Sequence, residues 1–123
     1  MDKRHQRRMK TVQELYSLFF INSKAKPKSP LVSEIASQTK KLDAYIDEFA
    51  RIHTAVDLAK VDLAILRLAV YELLIEAKAP PKVVINEAVE LAKDFGGDNS
   101  PAFVNAILGG LYQKYKKVSA KIK

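Results

Sequence analysis

The chain contains no cysteine, which removes a disulfide framework, a thiolate metal site and a cysteine nucleophile together, while leaving the compartment open. Its four glycines fall into two adjacent pairs, Gly96-Gly97 and Gly109-Gly110. Neither a GxGxxG fingerprint nor a P-loop is therefore available to cradle a nucleotide. Long apolar runs are also missing. The richest stretch, residues 63–75, is interrupted by Arg67 and Glu72 and is too short to cross a bilayer. No apolar segment follows the start Met-Asp-Lys-Arg-His, so no signal peptide is expected and the cytoplasm is the default location. Only two histidines occur, His5 and His53, far apart and without acidic neighbours at metal-ligand spacing. Both read as surface polar residues, and no metal or cofactor is expected. No stretch alternates apolar and polar residues long enough to make a strand.

What remains is a 123-residue chain with 48% hydrophobic and 28% charged residues, the balance of one ordinary globular domain. Its net charge of +7 is unevenly placed. Residues 1–10 hold five basic side chains and one acid, and residues 114–123 hold five lysines and no acid. The intervening body carries 11 basic and 13 acidic residues and is mildly acidic. Concentrated like charge at two ends of such a body suits docking on a polyanion. A solvated face and a lysine-rich tail are the plainer readings.

Helical spacing recurs throughout, which predicts an all-α fold. Val12, Leu15, Tyr16, Phe19 and Phe20 mark a first amphipathic helix, starting near Lys3. Lys3 with Arg7 and Arg4 with Arg8 are then like-charged pairs four apart, each unfavourable by a few tenths of a kcal/mol and relieved by an anion. Arginine forks suit phosphate and can stack on bases. With Tyr16 about two turns further on, this pattern points to nucleic acid, and to RNA before duplex DNA, since no recognition-helix motif accompanies it.

Residues 22–30 read as a short linker in which Pro27 and Pro30 prevent helix continuation. A second long helix is expected over residues 31–51, its apolar stripe broken at Gln38 and Thr39. Residues 52–60 form a link with room for a helical turn. Residues 61–76 are apolar almost all round and belong at the centre of a bundle. A helix then runs from the paired prolines Pro80-Pro81 to Phe95, and Gly96-Gly97 is expected to stop it by a left-handed conformation. Ser100-Pro101 signals the next start, with the serine as capping hydroxyl. Gly109 and Gly110 inside that helix permit either close approach or a bend. The carboxylate pairs Asp43 and Asp47, Glu72 and Glu76, and Asp94 and Asp98 read as solvated faces rather than catalytic pairs. Asp57 and Asp62, flanking Lys60, either complement a helix dipole or offer an acidic docking spot.

Two blocks, AILRLAVYELL at residues 64–74 and PPKVVINEAVELAKDFG at residues 80–96, resemble the NusB family of bacterial transcription antitermination factors. FVNAIL at residues 103–108 resembles the family's next block, and the Arg-rich start leading into Leu15-Tyr16 extends the likeness over nearly the whole chain. The resemblance implies a bundle of about six to seven helices in two subbundles, in one domain over residues 1–123. It implies no enzymatic activity, and pairing with the small-subunit ribosomal protein NusE to bind single-stranded boxA-type nascent RNA within an antitermination complex on RNA polymerase, notably in ribosomal RNA transcription.

By position, Arg4 and Arg8 match the family's RNA-binding arginines, joined by Lys3 and Arg7 in the same cluster, and Tyr16 matches its Leu-Tyr tyrosine. Phe95, Asn99 and Phe103 fall on the implied RNA-facing side near the last interhelical turn, and Asp62 falls where the family has an acidic residue facing NusE. Asn86-Glu87 is the most specific element of the second block, read as a hydrogen-bonded packing pair. The chain departs from the family at His5 and Gln6, where many members carry arginine, at Ala106 in place of glycine, in its shorter connection after the first helix and in its lysine-rich tail. Two other functions fit the same likeness: a protein-protein assembly module, and an accessory subunit of an RNA methyltransferase.

Overall fold

The computed structural model describes residues 2–20, 27–50 and 58–122, with side chains through Lys116. Among them there are six α-helices and no strand. Helix α1 spans Lys3–Ser17, α2 Pro30–Ser37, α3 Thr39–Phe49, α4 Lys60–Val70, α5 Pro81–Phe95 and α6 Ser100–Ile122. Helix α4 packs on α1, α3, α5 and α6, while α1 also packs on α2 and α5 on α6. Its central place follows from composition: Leu63, Ala64, Ile65, Leu66, Leu68 and Ala69 are all buried, so apolar surface is removed from water on every side. Asp57, His53 and most of the expected link lie outside the described residues.

Several helix boundaries differ from expectation. Residues 31–51 do not make one helix. Gln38, at φ −110° and ψ 18°, interrupts it at the break in the apolar stripe, letting Val32 and Ile35 of α2 and Leu42 and Ile46 of α3 reach the same core. Pro30 opens α2 as its first residue, with the Ser29 hydroxyl accepting from the Val32 amide, so the proline starts a helix as well as excluding one before it.

The central helix continues from α4 into a π-helical turn, Tyr71–Glu76, closed by the Ala77 amide donating to the Glu72 carbonyl at 3.0 Å. Ala77 takes the left-handed conformation at φ 53°, which costs a residue with a Cβ about 1 kcal/mol. It is the left-handed helix terminus here. Gly96, expected to play that part, has φ −93°. Space explains its glycine: a Cβ would stand 2.5 Å from the Ser100 side chain and 2.8 Å from the Ala92 carbonyl oxygen. Ser100 is the first residue of α6, and its hydroxyl accepts from the Gly97 amide at 3.0 Å.

The second glycine pair separates into two functions. A Cβ on Gly110 would lie 2.5 and 2.8 Å from Cδ1 and Cε1 of Phe49, so the close approach of α3 to α6 requires its absence. A Cβ on Gly109 meets nothing within 4 Å. Gly110→Ala is therefore expected to destabilise by about 1–3 kcal/mol through overpacking, whereas Gly109→Ala stabilises by up to about 1 kcal/mol through helix propensity. Urea midpoints of the two variants should move in opposite directions.

Candidate nucleic-acid interface

The basic start of α1 is organised by helical register. Asp2 caps the helix, its carboxylate accepting from the Arg4 amide at 2.9 Å. At about 100° per residue, Arg8 stands on the same stripe as Val12, four residues on, and Leu15, seven on. Those two are buried core residues, so Arg8 is carried inward. Its guanidinium forks onto Glu72 in the π turn: Nε donates to Oε2 at 2.9 Å and Nη2 to Oε1 at 2.8 Å. Both side chains are only 12% exposed. The hydrogen bond to Glu72, outweighing burial, raises the Arg8 pKa still further, so the charge is permanent.

His5, three residues before Arg8 on the same stripe, is also held internally. Nδ1 is 2.6 Å from Glu87 Oε2 and Nε2 is 3.0 Å from Asp94 Oδ2. Glu87 is shared, since Arg8 Nη1 stands 3.9 Å from that oxygen. The expectations for both residues change accordingly. Arg8 is not a free phosphate ligand, because its donors on the Glu72 side are already matched, and His5 is not a plain surface residue. Nor are Glu72 and Asp94 simple solvated-face carboxylates. Within the Asn86-Glu87 pair, Glu87 joins helices while Asn86 is exposed.

The remaining cations lie on the other flank. Lys3, Arg4, Arg7 and Lys10 are exposed, and among the described residues no carboxylate stands within ion-pair distance of their side chains. Arg4 and Arg7 border a groove of about 230 Å³ whose other walls include Thr11, Leu31 and Glu76. A like-charged array beside an open groove can neutralise successive phosphates without breaking any internal contact.

The other expected RNA contacts divide into two places. Tyr16, 40% exposed, stands nine residues beyond Arg7, about half a turn round the helix and so on the opposite flank. It packs edge-on to Phe20, with ring centroids 5.1 Å apart. Phe20 is 64% exposed and has the Lys60 ammonium 5.7 Å from its centroid, a second aromatic that the sequence reading passed over as core. Phe95 and Phe103 are half-buried and pack against the core, while Asn99 is exposed in the turn between them. Through Asp94, next to Phe95, His5 ties the start of α1 to this turn. The structure thus brings the basic helix start and the α5–α6 turn together, and leaves Tyr16 further along α1.

Asp62, at the third position of α4, is 8% exposed, and its Oδ1 is covered, with no hydrogen-bond partner among the described residues. Its place suits the helix dipole. An open acidic docking spot it is not, because the carboxylate is turned inward. At the far end of the chain Lys114 pairs with Glu48, whose Oε1 also accepts from the Tyr115 hydroxyl at 2.7 Å. The first lysine of the tail therefore helps join α6 to α3, and its hydrogen bond holds the Glu48 carboxyl below its usual range. Among the described residues no cluster of three potential ligands could hold a metal ion, and no helix is long and apolar enough to cross a membrane.

The Arg8–Glu72 contact makes a stability prediction. Arg8→Ala strands a covered carboxylate and should cost about 2–3 kcal/mol. Adding Glu72→Leu should recover part of that loss, read as a partial return of the urea midpoint.

The NusB family model matches residues 6–113, from the first turns of α1 into the second half of α6. The transcription antitermination protein NusB of Agathobacter rectalis is 55% identical over 76 residues, covering 62% of this chain and 58% of that protein. That of Clostridium tetani is 51% identical over 74 residues, 60% of this chain and 48% of its own length. That of Geobacter sp. is 46% identical over 89 residues, 72% and 61% of the two. The chain thus aligns with about half to three-fifths of these curated relatives. A solved structure of T. maritima NusB superposes with a TM-score of 0.75 at 27% identity, covering 91% of this chain and 92% of that one. With the family model spanning most of the chain and the helical bundle shared with a solved member, the chain belongs to the NusB family.

Proposed function

We propose that this protein is a transcription antitermination factor that binds single-stranded boxA-type RNA as it emerges from RNA polymerase, and that it makes or breaks no covalent bond. One observation carries the reading: Lys3, Arg4 and Arg7 stand exposed on one flank of α1 with no carboxylate partner among the described residues, while Arg8 and His5 on the inner face anchor that helix. The outer cations neutralise phosphates. Asn99 and the edges of Phe95 and Phe103, near the same end of α1, meet unstacked bases, and Tyr16 with Phe20 offers a further stacking surface. Arg8 serves RNA by holding the helix in place.

The protein partner is ribosomal protein NusE, and the pair acts in the antitermination complex, chiefly during ribosomal RNA transcription, in the cytoplasm. The names of the relatives and the basic charge at the α1 end support this reading.

Salt dependence tests it. Neutralising about three phosphates on a single strand gives a slope of log affinity against log salt near −2. Arg4→Ala with Arg7→Ala should bring that slope to about −1 or shallower, with the fold intact by circular dichroism. A flat response in the unaltered protein, or an unchanged slope in the double variant, would reject the site.

A further inference from the structure

His5 sits in a geometry that only one protonation state satisfies. Each ring nitrogen faces a carboxylate, Nδ1 at 2.6 Å from Glu87 and Nε2 at 3.0 Å from Asp94, and the side chain is 13% exposed. A neutral imidazole has a single N–H, so it would donate to one carboxylate and turn a lone pair on the other. Both contacts are favourable only when both nitrogens carry hydrogen. With that proton in place, charge alternates along Glu72, Arg8, Glu87, His5 and Asp94, linking the π turn, α1 and α5. Without it, Glu87 and Asp94 lose the charge between them, and Arg8, 3.9 Å from Glu87 and forked onto Glu72, is left to offset them where the first turns of α1 meet α5. Beyond Arg8 little else holds that end: Lys3, Arg4, Gln6 and Arg7 are exposed, and the like charges among them repel along the helix.

We propose that His5 is a positioning residue: as an imidazolium it pins the first turns of α1 to α5, so that Lys3, Arg4 and Arg7 form a fixed array for RNA, and loss of its proton releases them. The consequence for RNA rests on the function proposed above; the pin itself does not. The charged groups facing His5 are Glu87 and Asp94 from α5, with Arg8 beside it on α1 and Glu72 reached through Arg8.

The direction of the pH effect follows from those partners. The hydrogen bond to Glu87, then that to Asp94, holds the imidazole pKa above its ordinary value, and burial opposes them. A folded pKa raised above the unfolded one gives stabilisation that is complete below about pH 6.5. It is lost as pH rises through the higher, folded value. Array and RNA affinity should weaken together as pH rises past the ordinary histidine range.

Two measurements on the full chain separate the pin from its consequence. The ring nitrogen shifts of His5, assigned with His5→Gln, and amide exchange of residues 3–8 are followed against pH without RNA. Affinity for a short fluorescent single-stranded oligouridine is measured over the same range at constant salt. Expected are a ring that titrates at higher pH than a free imidazole, helix-start protection that falls as it titrates, and affinity that drops several-fold in the same interval. His5→Gln should bind several-fold more weakly below that interval, with no such inflection. His5→Arg, cationic throughout, should also lack it.

A ring that titrates no higher than a free imidazole, or protection indifferent to its titration, overturns the pin. Protection that follows the ring while affinity shows no inflection overturns the positioning role. Ring-linked protection with no RNA binding at any pH supports the pin and overturns the RNA reading.

Discussion

A guanidinium does not shed its proton in a protein, so Arg8, covered where α1 crosses the end of α4, must be met by fixed negative charge, and Glu72 supplies it. The demand is geometric as well as electrical. Two parallel hydrogen bonds set the distance between the helices and the rotation of α1 about its own axis. Once that rotation is set, Val12 and Leu15 enter the core, and Lys3, Arg4 and Arg7 stand towards solvent. The surface offered to a polyanion is thus a consequence of an internal ion pair.

The partner carboxylate comes from an irregular place. Glu72 belongs to a π-helical turn, whose wider winding alters the directions in which successive side chains leave the axis. The same turn ends in Ala77, in a left-handed conformation that a residue with a Cβ takes only under constraint. Such a turn is less favourable than a continued α-helix. It persists beside a well-packed α4, where the burial of Leu66, Leu68 and Val70 offsets the loss. Rigid packing in the centre and an irregular, charged rim are therefore parts of one element.

Basic residues on α1 have two distinct tasks. Those facing inward complete a chain of alternating charge with α5 and the π turn, and so contribute order. Those facing outward have no carboxylate partner among the described residues, and a bound anion would relieve their mutual repulsion. The aromatics divide in a similar way: Phe19 lies under Arg67, itself forked onto Asp43, while Phe20 and Tyr16 remain open to solvent. Charge or aromatic content alone would not separate these groups.

Much of the fold was legible in the chain because helix and core follow from local periodicity. The all-helical class, the central place of α4 and the proline start of α5 all express short-range rules of spacing and backbone freedom, whereas the glycine after Phe95 answers to close packing against Ser100 rather than to a left-handed turn. The break at Gln38 was visible too, as an interruption in the apolar stripe, though its consequence as a helix end was not drawn. The inward face of Arg8 and His5 follows from the same periodicity, since both continue the stripe of Val12 and Leu15 back by two turns, whereas the expectation of a phosphate contact and a surface imidazole rested on their charge and polarity alone.

What no local rule could supply was the identity of their partners. Glu72 is 64 residues from Arg8, and Glu87 and Asp94 are 82 and 89 residues from His5. Such pairs exist only after the helices have packed, and the burial of Asp62 is likewise a property of its surroundings. Sequence by itself determined which segments wind into helices and which faces seek the core, because those preferences act within a few residues. Which charges are spent inside and which remain for a partner was decided by tertiary structure, because Coulombic and hydrogen-bond pairing depends on distance in space.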